Sequence, residues 1–476
     1  MNMQPAGADI VIIGAGMAGL ALAADLVERT EASVVVLEAG PDAGHCHIRQ
    51  ACSEDEANSL WLMPGTDPCF WRPYRTSGPH YLGISGLRRR VGGRSLYWGG
   101  ALLPMDAWAF DESWPADVVA DLTTGEKGSA PLFDAITDEI RDWTATAPLP
   151  TAAPFMLAGR RFGPTPHATR REGSRWAAYS PLSRIDPMAT YPVIVPGAFV
   201  LGVLMNAGRA VGVRTTAGDI AASHVVLAGG TVENSRLALQ ALAEANPGLE
   251  HRLPGLVDKI AQGFTLVCAA DTVASSLRRA ANPGGTFHTM IDPKMRSNHF
   301  MRLSTREDGA IIFDTWLMGE QRRSEASAVH CDPTDGWPWQ TTVTAALSRT
   351  DRELATAQRT FLTDFWSDIR EDFGFAGMDL TFEHVFGSQD LPERLMSAKT
   401  GPVPVGPTSY AFPLGAELHE AGTTPLGTML TDTHEFREIP RLYAAGPSTF
   451  SRPGAANPAL TILALARRLA GKLVCA

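Results

Sequence analysis

The run Ile10-Val11-Ile12-Ile13-Gly14-Ala15-Gly16-Met17-Ala18-Gly19 constrains this chain more than any other segment. Four β-branched residues without a polar break read as a strand covered on both faces, as in a parallel sheet. Glycines follow at once, and Leu20 to Leu26 continues as a helix of small and apolar residues. Val34-Val35-Val36-Leu37 is a second buried strand, ending at Glu38. Together these form one βαβ unit. In such a turn Gly14 permits the tight bend and Gly16 lets backbone approach a pyrophosphate, whose charge the helix N-terminus favours. Gly19 permits close helix–strand contact. Glu38 stands 19 residues beyond Gly19, where a carboxylate accepts ribose hydroxyls and disfavours a 2′-phosphate, so NADP is not expected. The unit alone leaves NAD and FAD open. Arg441-Leu442-Tyr443-Ala444-Ala445-Gly446-Pro447, far along the chain, is a short strand with a small-residue turn. Such a return suits the longer FAD.

At roughly 150 residues per domain, the 476 residues suggest two or three intertwined domains. Lys and Arg number 41 against 51 Asp and Glu, a net charge of −10, which argues against nucleic-acid and anionic-membrane partners. Arg88-Arg89-Arg90 is read as a solvated or pyrophosphate-facing edge. The six cysteines at 46, 52, 69, 268, 331 and 475 form no CxxC pair, fitting neither a zinc site nor a disulfide framework. His45-Cys46-His47 is read as an exposed loop, and no metal is expected. Without a signal-peptide pattern or a long apolar run, the expected setting is cytoplasmic, with no membrane partner.

The fold class read from this pattern is α/β (α+β overall): a Rossmann-like FAD-binding domain interleaved with a substrate-binding domain built on an antiparallel sheet. Segments 1–110, 190–245 and 411–476 are assigned to the first, and 111–189 and 246–410 to the second. Strands are expected at Val193–Val195, Ala198–Met205, Arg209–Val213 and His224–Leu227, with a turn at Asn206-Ala207-Gly208. Helices are expected from about Val232, over Asp351–Phe373 and from Pro458 to about Val474. Residues 40–85 read as irregular.

Four blocks, in order, resemble the glucose-methanol-choline (GMC) flavoprotein oxidoreductases: VIIGAGMAGLALA with LEAG, VGGRSLYWGG, VVLAGGTVENSRLAL, and HEAGTTPLGTM with LYAAGPSTFSRPGAANPALTILALARRLA. The resemblance covers the first ~110 residues, 193–240 and the last ~60; 245–405 carries no matching block. It implies FAD as cofactor, touched from the first block by Gly14, Ala15, Gly16, Met17, Ala18, Gly19, Glu38 and Ala39. The second block would contribute Arg90, Val91, Gly92, Gly93, Ser95, Trp98 and Gly99. Val200, Ala228 and Gly229 would follow, then Gly446, Pro447, Asn457, Pro458 and Ala459. VGGRSLYWGG is closest to the flavin loop of pyranose oxidases, where a histidine is joined to the flavin. Tyr97 holds that position here, so non-covalent FAD is expected. The Asp258–Phe264 stretch and Ser448-Thr449-Phe450 depart from the family's wording.

The implied reaction is oxidation of an alcohol to a carbonyl by hydride transfer to flavin N5. The alcohol could be a sugar, a glycoside or a specialised-metabolite hydroxyl, and the electron acceptor O2 or another molecule. A hydroxyl proton must leave, and a neutral imidazole is suited to take it. His419, in the pattern His-x-x-Gly-Thr, sits where the family places its base. Asn457 matches the second catalytic position, held by His or Asn, and would orient the substrate. Asn457-Pro458 also reads as an N-cap and first helical residue. The alternative is a GMC-like flavin enzyme without net redox, a lyase or rearrangement catalyst. Nothing in the pattern assigns His330 or His384 a role.

Overall fold

In a computed structural model describing residues 6–78, 85–125, 129–334, 336–382 and 406–474, Val193–Pro196, Val34–Glu38, Gly7–Ile13 and Gly218–Leu227 lie side by side and parallel. Gly218–Leu227 then pairs through its first half with antiparallel Arg209–Thr215, and through its second half with parallel Leu442–Ala444. Val200–Asn206 completes the hairpin turning at Ala207 and Gly208. Val34, Val35, Val36 and Leu37 are each at most 1% exposed, which is why their run has no polar alternation. Burial of that kind contributes roughly 1.5–3 kcal/mol per side chain. The helices Met17–Val27 and Ala459–Val474 pack against each other. Asp25 of the first accepts from Arg467 of the second and from Arg184.

The second sheet is antiparallel and follows the order Thr408–Ala411, Lys259–Cys268, Ile311–Glu320, Ser297–Thr305, Gly285–Met290, Arg160–Pro164, Phe155–Leu157. Its two faces separate with the strand period of two. Met301, Leu303, Phe313 and Leu317 join Leu362, Phe365, Trp366 and Ile369 of the helix Arg349–Ile369 in one apolar cluster. On the opposite face Phe300 and Met318 meet Leu103 and Ala456, and Arg302 lines the central cavity. A four-stranded sheet joins Tyr74–Ser77 to Gly336–Thr344, Ala328–Thr334 and Arg252–Pro254, so it draws strands from both sides of the division read from the sequence.

Most expected elements form within a few residues. The long amphipathic helix starts at Arg349 behind a Ser348–Asp351 capping box and ends at Ile369, with a 3-10 turn over Arg370–Phe373. Residues 40–85 hold more than irregular chain: Ile48–Ala51 and Glu54–Leu62 are helical, the second opened by a Ser53–Glu56 capping box. That Ser-x-x-Glu signal is present in the sequence. His384 and Cys475 lie outside the described residues; the other five cysteines are free thiols.

A Cβ on Gly19 would lie 2.0 Å from the Gly14 carbonyl oxygen, so helix and turn cannot both stay in place if it is substituted. Gly19→Ala is expected to cost about 1–3 kcal/mol and to lower FAD occupancy. Thermal melts and FAD-to-protein ratios check this, with Gly65→Ala, where a Cβ meets no atom within 4 Å, expected near wild type.

Candidate active site

The turns at the C-terminal ends of the parallel strands open into a cavity of about 1130 Å³, beyond the ~300–1,000 Å³ of ordinary small-ligand pockets. Its wall includes Gly14, Gly16, Met17, Ala18, Glu38, Ala39, Gly93, Ser95, Tyr97, Trp98 and Gly99. Val200, Ala228, Gly229, His419, Gly446, Pro447, Asn457, Pro458 and Ala459 complete the expected set found there. Ala15, Gly19, Arg90, Val91 and Gly92 are not on the wall; they support it. Ala15 donates its N–H to Glu38 Oε2 at 3.1 Å and accepts from Gly92 N–H at 2.8 Å. Arg90 spends its guanidinium on the carbonyls of Ala43 and Gly44, at 2.7 and 2.6 Å. Val91 is 1% exposed, inside the core.

Gly16 opens the first helix without a side-chain cap, and a Cβ there would meet nothing within 4 Å. The helix's first N–H groups therefore border open cavity, the requirement for an anion cradle. Gly93 of the second glycine loop approaches the same place; its Cβ would lie 3.2 Å from Gly16 Cα. Glu38 Oε1 also accepts from Gly40 N–H at 2.8 Å, and burial pushes its carboxyl up to about 7. The wall also carries Trp71, Phe199 and Arg236, which no local pattern announced, and Arg89 of the basic triplet, whose charge acts on Glu38. The Trp71 and Phe199 rings meet edge to face at 5.4 Å, with Arg89 5.3 Å from the Trp71 centroid. Arg236 reaches the carbonyls of Val200 and Leu201 and ion-pairs with Glu233.

The cavity wall also holds His419 and Asn457. His419 Nδ1 and Asn457 Oδ1 are buried with no hydrogen-bond partner among the described residues. Burial first, then the charges of Lys259 and Arg94, hold the His419 imidazole well below its ordinary value, so it is neutral at neutral pH. Its loop is clamped from two sides. Asp258 accepts the His419 N–H at 3.1 Å, while Arg94 donates to Leu418 O at 3.0 Å and to Glu420 Oε2 at 2.7 Å. Leu418 is held at φ +58°, a conformation costing a residue with a side chain about 1–3 kcal/mol. Asn457 is not the helix cap expected of it. The first helical bond runs from Ile462 N–H to Pro458 O, so the cap position falls on Pro458, and Asn457 remains as a residue lining the cavity.

Two smaller readings change. His47 is buried, its Nε2 3.0 Å from Trp98 O, and it caps the helix Ile48–Ala51, whereas His45 is half exposed beside Asp42. Among the described residues no group of His, Cys, Asp or Glu could hold a metal ion, and no helix is long and apolar enough to cross a membrane. Arg88 is buried in an ion pair with Asp67 under the Tyr97 ring, and Arg89 alone of the triplet is exposed. Arg302, Phe412, Leu418 and Glu420 also line the cavity; Arg302 lies in the segment without matching blocks, whereas Glu420 directly follows His419 within the HEAGTTPLGTM block.

Residues 9–66 match the FAD dependent oxidoreductase domain family. No curated protein sequence matches the chain. Among solved structures it is similar to pyridoxine 4-oxidase from Mesorbium loti, at 15% identity and TM-score 0.60 over 97% of this chain and 98% of that one. A formate oxidase superposes at 14% identity and TM-score 0.65 over 99% and 98%. A mutant formate oxidase of Aspergillus oryzae RIB40 gives 14% and 0.64 over 99% of both chains.

The buried histidines set an acid limit. His47 is pushed down to about 4 and His299 and His434 to about 3 by burial, with His419 lowered as well. Unfolded histidines protonate near ~6.5, so below that pH the unfolded chain binds more protons and stability is lost. Glu38 and Asp258, raised to about 7, act in the opposite sense, but two groups offset only part of four. The melting temperature is expected to fall steadily from pH 6.5 to 5, checked by melts in matched buffers.

Proposed function

We propose that this chain, whose dinucleotide unit is an FAD-dependent oxidoreductase domain set in the fold of the GMC oxidoreductases, oxidises an alcohol carbon with His419 as base and Asn457 as the group orienting the substrate. The observation that carries this reading is the pairing of two orphaned polar atoms, His419 Nδ1 and Asn457 Oδ1, on the wall of the same cavity as the glycine cradle at Gly14 and Gly16. That wall fits FAD. Glu38 has the chemistry for ribose hydroxyls, the open helix start at Gly16 for the pyrophosphate, and the Gly446-Pro447 and Asn457–Ala459 turns line the same cavity. FAD, when bound, supplies a two-electron acceptor.

The chain's own residues do the rest. Asn457 engages the substrate oxygen and holds the hydroxyl toward His419. His419, kept neutral by burial, takes the hydroxyl proton as the carbon loses hydride, so the products are a carbonyl compound and an imidazolium that the charges of Lys259 and Arg94 disfavour. The proton leaves the hydroxyl as the carbon becomes a carbonyl, so no free alkoxide need form, and an imidazolium of lowered pKa releases the proton readily afterwards. Tyr97 supports non-covalent FAD. Its hydroxyl accepts from Arg90 at 3.4 Å, and burial raises its pKa, so it stays protonated and is no nucleophile. The two neighbours' names, oxidases of pyridoxine and of formate, support oxidation of small alcohol- or aldehyde-like substrates; O2 or another acceptor would then take the electrons.

Anaerobic addition of sugars, glycosides and simple alcohols to the FAD-loaded protein is expected to bleach the flavin band with one class. His419→Ala should slow that bleaching about 10²–10⁴-fold while FAD stays bound. Acid precipitation should leave FAD in the supernatant. A band that no alcohol bleaches, or a His419→Ala variant at wild-type rate, overturns the reading.

A further inference from the structure

Asp258 and Lys259 are consecutive, oppositely charged and both at most 2% exposed. They stand at the start of the strand Lys259–Cys268, within the stretch that departs from the family's wording. A buried ion costs several kcal/mol unless it is paired and hydrogen-bonded, so the uses made of these two are informative. The Asp258 carboxylate accepts the N–H groups of Gly415 at 2.5 Å and His419 at 3.1 Å. The Lys259 ammonium donates to the carbonyls of Pro453 at 3.1 Å and Gly454 at 2.5 Å. One residue thus grips the loop ending at His419, and the next grips the loop ending at Asn457.

The surroundings make each grip specific. Val257 and Ala421 exchange N–H···O bonds at 3.1 and 2.9 Å, fixing the His419 loop against the residue before Asp258. Asp106 accepts from Ala455 and Ala456 N–H at 2.9 and 3.1 Å, so carbonyls 453–454 meet a cation and amides 455–456 meet an anion. Arg452, in the same loop, is bound at 2.7 and 2.8 Å by both oxygens of Glu320, the residue opposite Lys259 in the sheet. The charges facing the pair are Asp106, Glu320, Glu417 and Glu420.

We propose that the Asp258-Lys259 dipeptide is a positioning device that sets His419 against Asn457, one residue for each loop. This rests on the reading of His419 and Asn457 given above, and it adds two residues that touch neither substrate nor cofactor. Lys259 opens the strand and Asp258 is the residue just before it, so a single backbone step separates the two anchors. A carboxylate can hold only N–H groups and an ammonium only carbonyls, so the order of the pair dictates which loop each holds.

The test uses FAD-loaded full-length protein, wild type, Asp258→Asn and Lys259→Gln, with two readouts. The first is amide hydrogen exchange over peptides covering 412–421 and 450–458, which needs no substrate. Asp258→Asn should speed exchange in the first and spare the second; Lys259→Gln should do the reverse. The second is single-turnover flavin reduction by whichever alcohol reduces the wild type. The limiting rate should fall 10- to 100-fold in each variant, with half-saturating substrate within twofold and the FAD spectrum unchanged. Exchange that rises throughout the chain, or in neither loop, overturns the proposal. So does a wild-type limiting rate, or loss of rate, substrate affinity and FAD together. Should Asp258→Asn fail to load FAD, Lys259→Gln decides alone; failure of both to yield holoprotein makes the pair a folding element and overturns it too. A wild type that no alcohol reduces overturns the proposed function instead, and the exchange arm still stands.

Discussion

Three backbone hydrogen bonds carry the parallel sheet past its own strand ends. Gly14 N–H reaches Leu37 O at 2.7 Å, Ala228 N–H reaches Ile13 O at 2.8 Å, and Ala445 N–H reaches Leu227 O at 2.8 Å. Each ties the turn after one strand to the C-terminal end of its neighbour. The turns at 14–16, 228–230 and 445–447 are thereby brought level along one crevice, although they come from distant parts of the sequence. A crevice outside the carboxyl ends of parallel strands is where an open α/β sheet exposes backbone donors to a ligand. Everything placed on the cavity wall depends on that alignment. Asn234 reinforces it by donating to Leu227 O, Ala445 O and Ser448 Oγ from a fully buried position.

Onto this crevice the antiparallel sheet is laid with one face apolar against the helix Arg349–Ile369 and the other carrying Arg302, Lys259 and Glu320 toward the dinucleotide-binding half. Buried charges in such a place are costly unless each is satisfied. Here Lys259 is satisfied by the carbonyls of the loop that leads to Asn457, Glu320 by the Arg452 guanidinium of that same loop, and Arg302 by Asp314. Strain at Leu418 and the depressed imidazole at His419 sit within that same network, which is where over-determined structure can sustain both.

Local chemistry made much of this legible. The Ile10–Ile13 and Val34–Leu37 runs, the Gly14–Gly19 turn and Glu38 form one unit because strand, turn and helix are decided by neighbours in sequence. The hairpin at Asn206–Gly208 and the helix ending near Val474 follow for the same reason. Even the helix Glu54–Leu62, read as irregular chain, had its Ser53–Glu56 capping box in view. By contrast, Ala15, Gly19, Arg90, Val91 and Gly92 stand behind the cavity wall, because a block shared with a family says that residues lie near a ligand, not which of them face it.

The sequence by itself determined the βαβ unit and the glycine positions that must stay small, because short-range sterics are visible in one dimension; the candidate pair His419 and Asn457 is what the resemblance of the last block to the GMC family implies. Only the tertiary structure decided that Trp71, Phe199, Arg89 and Arg236 share a cavity wall with Glu38, that Asn457 leaves the helix cap to Pro458, and that Asp258 and Lys259 hold two separate loops. Apart from the cap at Pro458, those are contacts between residues tens to hundreds of positions apart. Their energies come from burial, charge pairing and backbone groups meeting across the fold, and none of these leaves a periodicity or spacing in the chain.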